Sequence, residues 1–491
     1  MGTVDATIQL LAAVRAGGCG LLDFVLMSLL RILFDSNPRF ALHLPVHGRG
    51  EALPPRLRCL LRRQPGRWDL PELPEIGGPL ELDGAVVESQ ALCAARMGVD
   101  CCWFGVNGAT GLLQAALLAM AAPGEAVLLP RNVHRSLIAA CELGGLLPVF
   151  LPVPFDGERG HPRAMTADCL IRSLDALPDL GCRVAAAVLV HPTYHGYAAE
   201  IAPLVDCLQA RGLPVLVDEA HGTHLAFAPG MGLPSSSLTT GADFVVHSLH
   251  KSAPGLAQTA VLWQRTTRIS STALRRSLQR LQSSSPSALL LASCEATLDW
   301  MLSTRWRSLL HQRLVKARKL TDDLRRHGVA LHESDDPLRL ILNTASVGVS
   351  GLEADTWFMN HGVIAELPEP LCLTLCLGFA RHRGLTARLR HLWQLLIKEQ
   401  GGPSLAAVAA PPLDSVRGAE LSPSAVLHRP SLELPLDRCA DRIAAEMICP
   451  YPPGIPLLVP GERIDHARVQ WLQLQHRRWP EQVPGMVKVL A

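Results

Sequence analysis

Lysine is scarce in this chain of 491 residues: of its 46 lysine and arginine side chains only five are lysine, at positions 251, 316, 319, 398 and 488. Charge is thin as well, at 18% of residues with a net charge of +2. That excludes the basic surplus of a nucleic-acid binder, and the low charged fraction points to surface buried between subunits. Long hydrophobic runs are missing too. The apolar stretch from Leu21 to Phe34 carries Asp23 and Arg31 and is too short to cross a bilayer, so it reads as an amphipathic helix with no membrane partner. The 14 cysteines, among them adjacent Cys101 and Cys102 and the Cys372/Cys376 pair, form no zinc-type Cys-x2-Cys array, and no secretory signal precedes them. They read as reduced core residues of a cytoplasmic protein, with no metal site expected.

What the chain does have is one lysine in a telling place. An apolar run, Phe244 to His247, opens into Ser248-Leu249-His250-Lys251, followed by Pro254-Gly255 and Gln258. Only an amine able to lose its proton attacks a carbonyl, and arginine stays protonated, so a chain this biased towards arginine has kept lysine where arginine cannot substitute. A second run, Leu213 to Val217, has the pattern of a buried strand and ends in Asp218-Glu219-Ala220-His221-Gly222. Ligand sites of open α/β sheets lie at the carboxyl ends of strands. Two strand ends thus deliver an amine and an acid, the pair that pyridoxal 5'-phosphate requires at its aldehyde and its ring nitrogen.

At these residues the sequence resembles the Orn/Lys/Arg decarboxylase family of fold-type I pyridoxal-phosphate enzymes, whose marks are Ser-x-His-Lys with a following Pro-Gly and Gln, and an Asp-Glu-Ala-His-Gly strand end. The resemblance runs from about residue 40 to 470 and includes the proline-rich Tyr451-Pro-Pro-Gly454-Ile-Pro456 and Pro460-Gly461-Glu462. It implies an α/β fold, a mainly parallel sheet with helices on both faces, plus a smaller carboxyl-terminal α+β domain. The expected division is a helical and loop segment over 1–70 packing on a partner subunit, a cofactor-binding domain over 71–329, and a small domain over 330–491 with a linker near 401–412.

Other motifs follow in chain order. The loop His43-Leu-Pro45-Val46-His47-Gly48-Arg-Gly50 resembles the family's His-x-Pro-Gly-His-Lys-x-Gly, with Val46 and Gly48 in place of its glycine and lysine. Asn107-Gly108-Ala109-Thr110 lies between an apolar run and an alanine-rich helix, the arrangement that presents free amides to a phosphate. The resemblance puts the phosphate turn on Gly108, Ala109 and Thr110, the ring-stacking residue on His134, and a contribution across a dimer interface on Ser284 and Ser285. His191-Pro192-Thr193-Tyr194 resembles an Asn-Pro-Thr-Tyr motif, with histidine replacing asparagine, and Gly362 to Glu366 resembles a strand ending in glutamate.

The implied activity is decarboxylation of a basic amino acid by a homodimer or higher homo-oligomer. Arginine is the first choice because the chain length resembles the family's short forms, and lysine and ornithine come next. In that reading Lys251 holds the cofactor, Asp218 keeps its ring nitrogen charged, His221 adjoins Asp218, Ser248 belongs to the attachment motif, and His250 or Lys251 returns a proton to the α-carbon. The same set serves aminotransferases and aldol-type enzymes, and a non-catalytic paralogue is the remaining alternative.

Overall fold

Aliphatic and β-branched runs too short for helices build the central sheet. In the computed structural model its strands are β1 (Cys101–Gly105), β2 (Ala126–Pro130), β3 (Leu147–Leu151), β4 (Val184–Val190), β5 (Val215–Asp218), β6 (Phe244–Ser248) and β7 (Ala260–Gln264), with a two-residue edge strand at Arg417–Gly418. The structure describes residues 38–491 except 64, 72, 266–267, 451–454 and 481, so the amphipathic helix expected over Leu21 to Phe34 and the Tyr451 to Gly454 motif lie outside the described residues. All elements named here belong to the unit Ala41–Ala491.

The eight strands run in the order edge strand, β3, β2, β4, β5, β6, β7, β1. From β3 to β6 every pairing is parallel, while β7 is antiparallel to both β6 and β1, and the edge strand is antiparallel to β3. β2, β5, β6 and β7 are buried along their whole length, as strands covered on both faces must be. Helix α1 (Gly108–Met120) is apolar nearly all round because it lies between the sheet and the helix Ser271–Leu281. Helix α2 (Arg135–Gly144) follows β2 and packs on α1.

Two consecutive helices follow, Ala288–Met301 and Thr304–Arg326. Ser303 makes the break: its hydroxyl accepts from the Trp306 amide and starts the second helix, a local bond that outcompetes helix continuation. A second, antiparallel sheet of four short strands then runs in the order Leu331–His332, Arg339–Leu342, Leu373–Cys376, Leu367–Pro368. Residues 401–412 are irregular but pinned, with Gly402, Leu405 and Val408 amides bonded to the carbonyls of Val347, Ala345 and Gly157. The carboxyl-terminal segment adds a hairpin of Ser431–Pro435 with Met486–Leu490 over its own apolar cluster.

That segment is locked to the central sheet by charge. Arg131, just beyond β2, donates to both carboxylate oxygens of Glu462 at 2.7 and 2.8 Å and to the Leu457 carbonyl at 2.8 Å, and Arg468 approaches the same carboxylate at 3.3 Å. All three charged side chains are almost fully buried. Glu462 is therefore a structural anchor, held in the bidentate geometry that makes a buried pair tolerable.

Candidate active site

The parallel register brings the two strand ends together. Asp218 ends β5 beside Val246 of the adjacent β6, and the chain leaves β6 at Ser248 to reach Lys251 three residues later. Both side chains line one cavity of about 490 Å³, with His134, His221, Asn132, Thr193, Tyr194, His195 and Glu369 among its other walls. Most of these residues follow the carboxyl ends of β2, β4, β5 and β6, where an open parallel sheet leaves its ligand crevice.

Lys251 Nζ is 3.3 Å from His221 Nε2, and Arg339 Nη2 is 3.3 Å from His221 Nδ1. Arginine has only donors, so Nδ1 accepts, Nε2 carries the ring proton, and the Lys251 amine receives it as a neutral acceptor. The electrostatics agree. Burial pushes Lys251 below the usual lysine range, Asp218 opposes that, and Arg339 adds to it. Burial, then Lys251 and Arg339, hold His221 far below the ordinary histidine value. His134 both lines the cavity and caps α2, its Nδ1 accepting from the Ser136 amide at 3.2 Å, and burial lowers its pKa. The cap fixes the ring's tautomer with Nδ1 unprotonated.

The remaining expected residues fall around this centre. Ser248 Oγ is 3.2 Å from His250 Nδ1, and neither lines the cavity; burial and Lys251 push His250 down to about 4. The Gly108 amide donates to the Gln258 carbonyl at 2.8 Å, and Gly108 adopts φ +71°, so its contribution is the turn itself. No side chain caps α1, which leaves the Ala109 and Thr110 amides at a bare helix start. Beside them, both polar atoms of the Gln282 amide are buried without a hydrogen-bond partner, next to Gly111. Ser284 and Ser285 are exposed on the turn that follows Gln282.

The loop from His43 to Gly50 is built into this region. Leu44 donates its amide to Glu366 at 2.7 Å, Val46 donates to the His250 carbonyl at 3.1 Å, and Tyr194 hydroxyl donates to the other oxygen of Glu366. The altered positions have a steric reason. A Cβ on Gly48 would stand 2.3 Å from the Ala380 Cβ, at φ +54°, so the family's lysine does not fit here. His191 is tied away from the cavity, its Nε2 at 2.9 Å from the Ser235 carbonyl.

Sequence reasoning missed Arg339, which orients His221, and the buried group His161, His195, Glu369 and Cys372 against the cavity wall. Glu369 accepts from His195 at 2.8 Å, and the pull of His195 and His161 outweighs burial to keep its carboxyl well below the usual range. Arginine 339 stands 118 residues from His221, and no local pattern announces such a pairing.

A mainly parallel sheet with a desolvated lysine and an aspartate at adjoining strand ends, and a bare helix start with orphaned polar atoms beside it, defines a fold-type I pyridoxal-phosphate enzyme, and the residues present fit that cofactor. Its kind follows from comparison. The Orn/Lys/Arg decarboxylase major-domain model matches residues 37–336 and the carboxyl-terminal-domain model matches 419–490. The chain belongs to the Orn/Lys/Arg decarboxylase family and is a pyridoxal-phosphate-dependent amino-acid decarboxylase. It is 28% identical to the arginine decarboxylase of Halalkalibacterium halodurans over 448 residues, 89% of this chain and 90% of that one. It is 28% identical to the arginine decarboxylase of Bacillus subtilis over 446 residues, 88% and 89% of the two chains. The solved lysine decarboxylase A from Pseudomonas aeruginosa superposes with a TM-score of 0.73 over 89% of this chain and 80% of that chain, at 18% identity, a likeness of fold alone. Among the described residues no helix is long and apolar enough to cross a membrane.

Proposed function

We propose that this protein decarboxylates arginine to agmatine, a step of polyamine biosynthesis. The observation that carries the reading is the shared cavity, which holds Lys251 and Asp218 together with one further carboxylate, Glu369, in its wall. When bound, pyridoxal phosphate supplies an aldehyde for an amine and a pyridine ring that takes up the electron pair left by departing carbon dioxide. Lys251, its pKa lowered by burial and its amine 3.3 Å from His221 Nε2, is the amine that would meet the aldehyde. With the cofactor bound, Asp218 would hold its ring nitrogen in the protonated form, and His134, which lines the same cavity, would offer its imidazole to the ring. The amides of Ala109 and Thr110 at the uncapped helix start would hold its phosphate, with Gln282 beside them.

Proton return to the α-carbon falls to Lys251, because His250 does not line the cavity. Glu369 meets the cationic end of the substrate, a charge-assisted contact in which the planar guanidinium suits a carboxylate better than an ammonium does. The two arginine decarboxylases similar over almost the whole chain support arginine as that cation. Ser284 and Ser285 complete a neighbouring subunit's phosphate site in a cytoplasmic homodimer, and the large and small domains divide near residue 330. Product analysis with arginine, lysine and ornithine tests the reading. Agmatine should dominate and vanish in Lys251→Ala, whereas cadaverine or putrescine as the main product, or keto acids in place of amines, overturns it.

A further inference from the structure

Three protein ligands of a kind metals favour converge in the wall between the two sheets' loops. His161 Nδ1 is 3.3 Å from Glu369 Oε2, Cys372 Sγ is 3.2 Å from the same oxygen, and Cys372 Sγ is 3.8 Å from His161 Nδ1. Bond lengths of about 2.0–2.1 Å for nitrogen and oxygen and about 2.3 Å for sulfur give a tetrahedral zinc site edges of roughly 3.3 to 3.6 Å. The observed triangle comes within about 0.2 Å of that range on every edge, close to one face of such a tetrahedron. His195 Nε2 lies 2.8 Å from Glu369 Oε2, and its ring stacks on His161 at 3.7 Å. The four residues are between 0% and 4% exposed.

We propose that His161, Glu369 and Cys372 form a divalent-metal site of the zinc type, with His195 bonded to Glu369 as an outer partner. The local backbone prepares it: the Glu369 amide donates to the Cys372 carbonyl at 2.9 Å, and this turn sends both side chains the same way. The surrounding bonds do too. His161 Nε2 is 2.9 Å from the Tyr197 hydroxyl, which also accepts from Arg159 at 3.1 Å. An Nε2 proton donated to that oxygen leaves the Nδ1 lone pair aimed at the metal, the kind of outer partner that fixes a ligating histidine. On binding, the Cys372 S–H bond breaks, the proton leaves to solvent and a sulfur–metal bond forms; Glu369 coordinates through Oε2, the oxygen that His161 and Cys372 approach, and Oε1 is left for the substrate's cation. The metal would tie the short hairpin of Phe155–Asp156 with His161–Pro162 to the small-sheet turn at Glu369 and Cys372, stiffening one wall of the active-site cavity. Buried carboxylate, imidazole and thiol in one place are costly without a partner of this charge.

The test is zinc content and X-ray absorption of the holoenzyme, stripped with chelator and reloaded with zinc. The parent should retain one zinc per chain after dialysis, with a single sulfur at about 2.3 Å. Cys372→Ser should lose the sulfur shell and bind zinc at least about tenfold more weakly, whereas Cys182→Ser should behave as the parent. Where Cys372→Ser does not fold, His161→Gln serves, and it too should release the metal. A parent that retains no stoichiometric zinc, a sulfur shell that survives Cys372→Ser, or full affinity in His161→Gln overturns the proposal.

Discussion

The two walls of the cavity are made differently. On one side, Asp218, His221 and Lys251 sit at the ends of adjacent parallel strands, and each is placed by a short continuous stretch of chain. On the other, His161, His195, Glu369 and Cys372 come from a hairpin, a strand-end loop and a turn of the second sheet, and meet only because the two sheets pack. The residues placed for the cofactor are thus set by short stretches of chain, while the wall proposed to meet the substrate is assembled from across the fold.

Substitutions at the two walls should separate these roles. Asp218→Asn is expected to lower kcat by roughly 10²–10⁴-fold, the range for losing a group that stabilises charge in the reaction, with little change in KM. Steady-state kinetics check this, and an unchanged kcat breaks the contrast. Glu369→Gln should act the other way, raising KM for arginine at least about tenfold while kcat changes far less, since an interaction made equally before and during reaction is lost. A fall in kcat at constant KM would move Glu369 to the first wall.

Away from both walls, Glu462→Gln should leave Arg131 without its carboxylate and Arg468 with Asp465 alone, and cost about 3–5 kcal/mol in denaturant unfolding. A loss under about 1 kcal/mol would mean that the segment is held by its apolar cluster alone. A smaller effect comes with pH. Burial holds His250 and His332 at about 4 in the folded chain, against 6.5 for an ordinary histidine. Below pH 6.5 the unfolded chain takes up protons that the folded one refuses, so stability is full above that value and falls towards pH 4. Thermal midpoints across that window check the sign.

The contrast also explains what the sequence could reveal. Asp218 and Lys251 were legible because a buried strand ending in an acid, and a lone lysine in an arginine-rich chain, are each visible within a dozen residues. The alternation of strands and helices was legible for the same reason. The break at Ser303 was not, since a serine inside an amphipathic stretch looks like any exposed helical position until its hydroxyl is seen to cap. Nor was the role of Gly48, whose neighbour Ala380 is brought to it by folding. Arg339 and Glu369 carry no motif at all; their meaning is their position against His221, His195 and the cavity.

The most direct measurement is reductive trapping. Holoenzyme treated with borohydride, digested and mapped should carry the cofactor label on the peptide containing Lys251, at one label per chain, with Lys316, Lys319, Lys398 and Lys488 unlabelled. A label on any of those four, or unlabelled protein that still produces agmatine, contradicts the account.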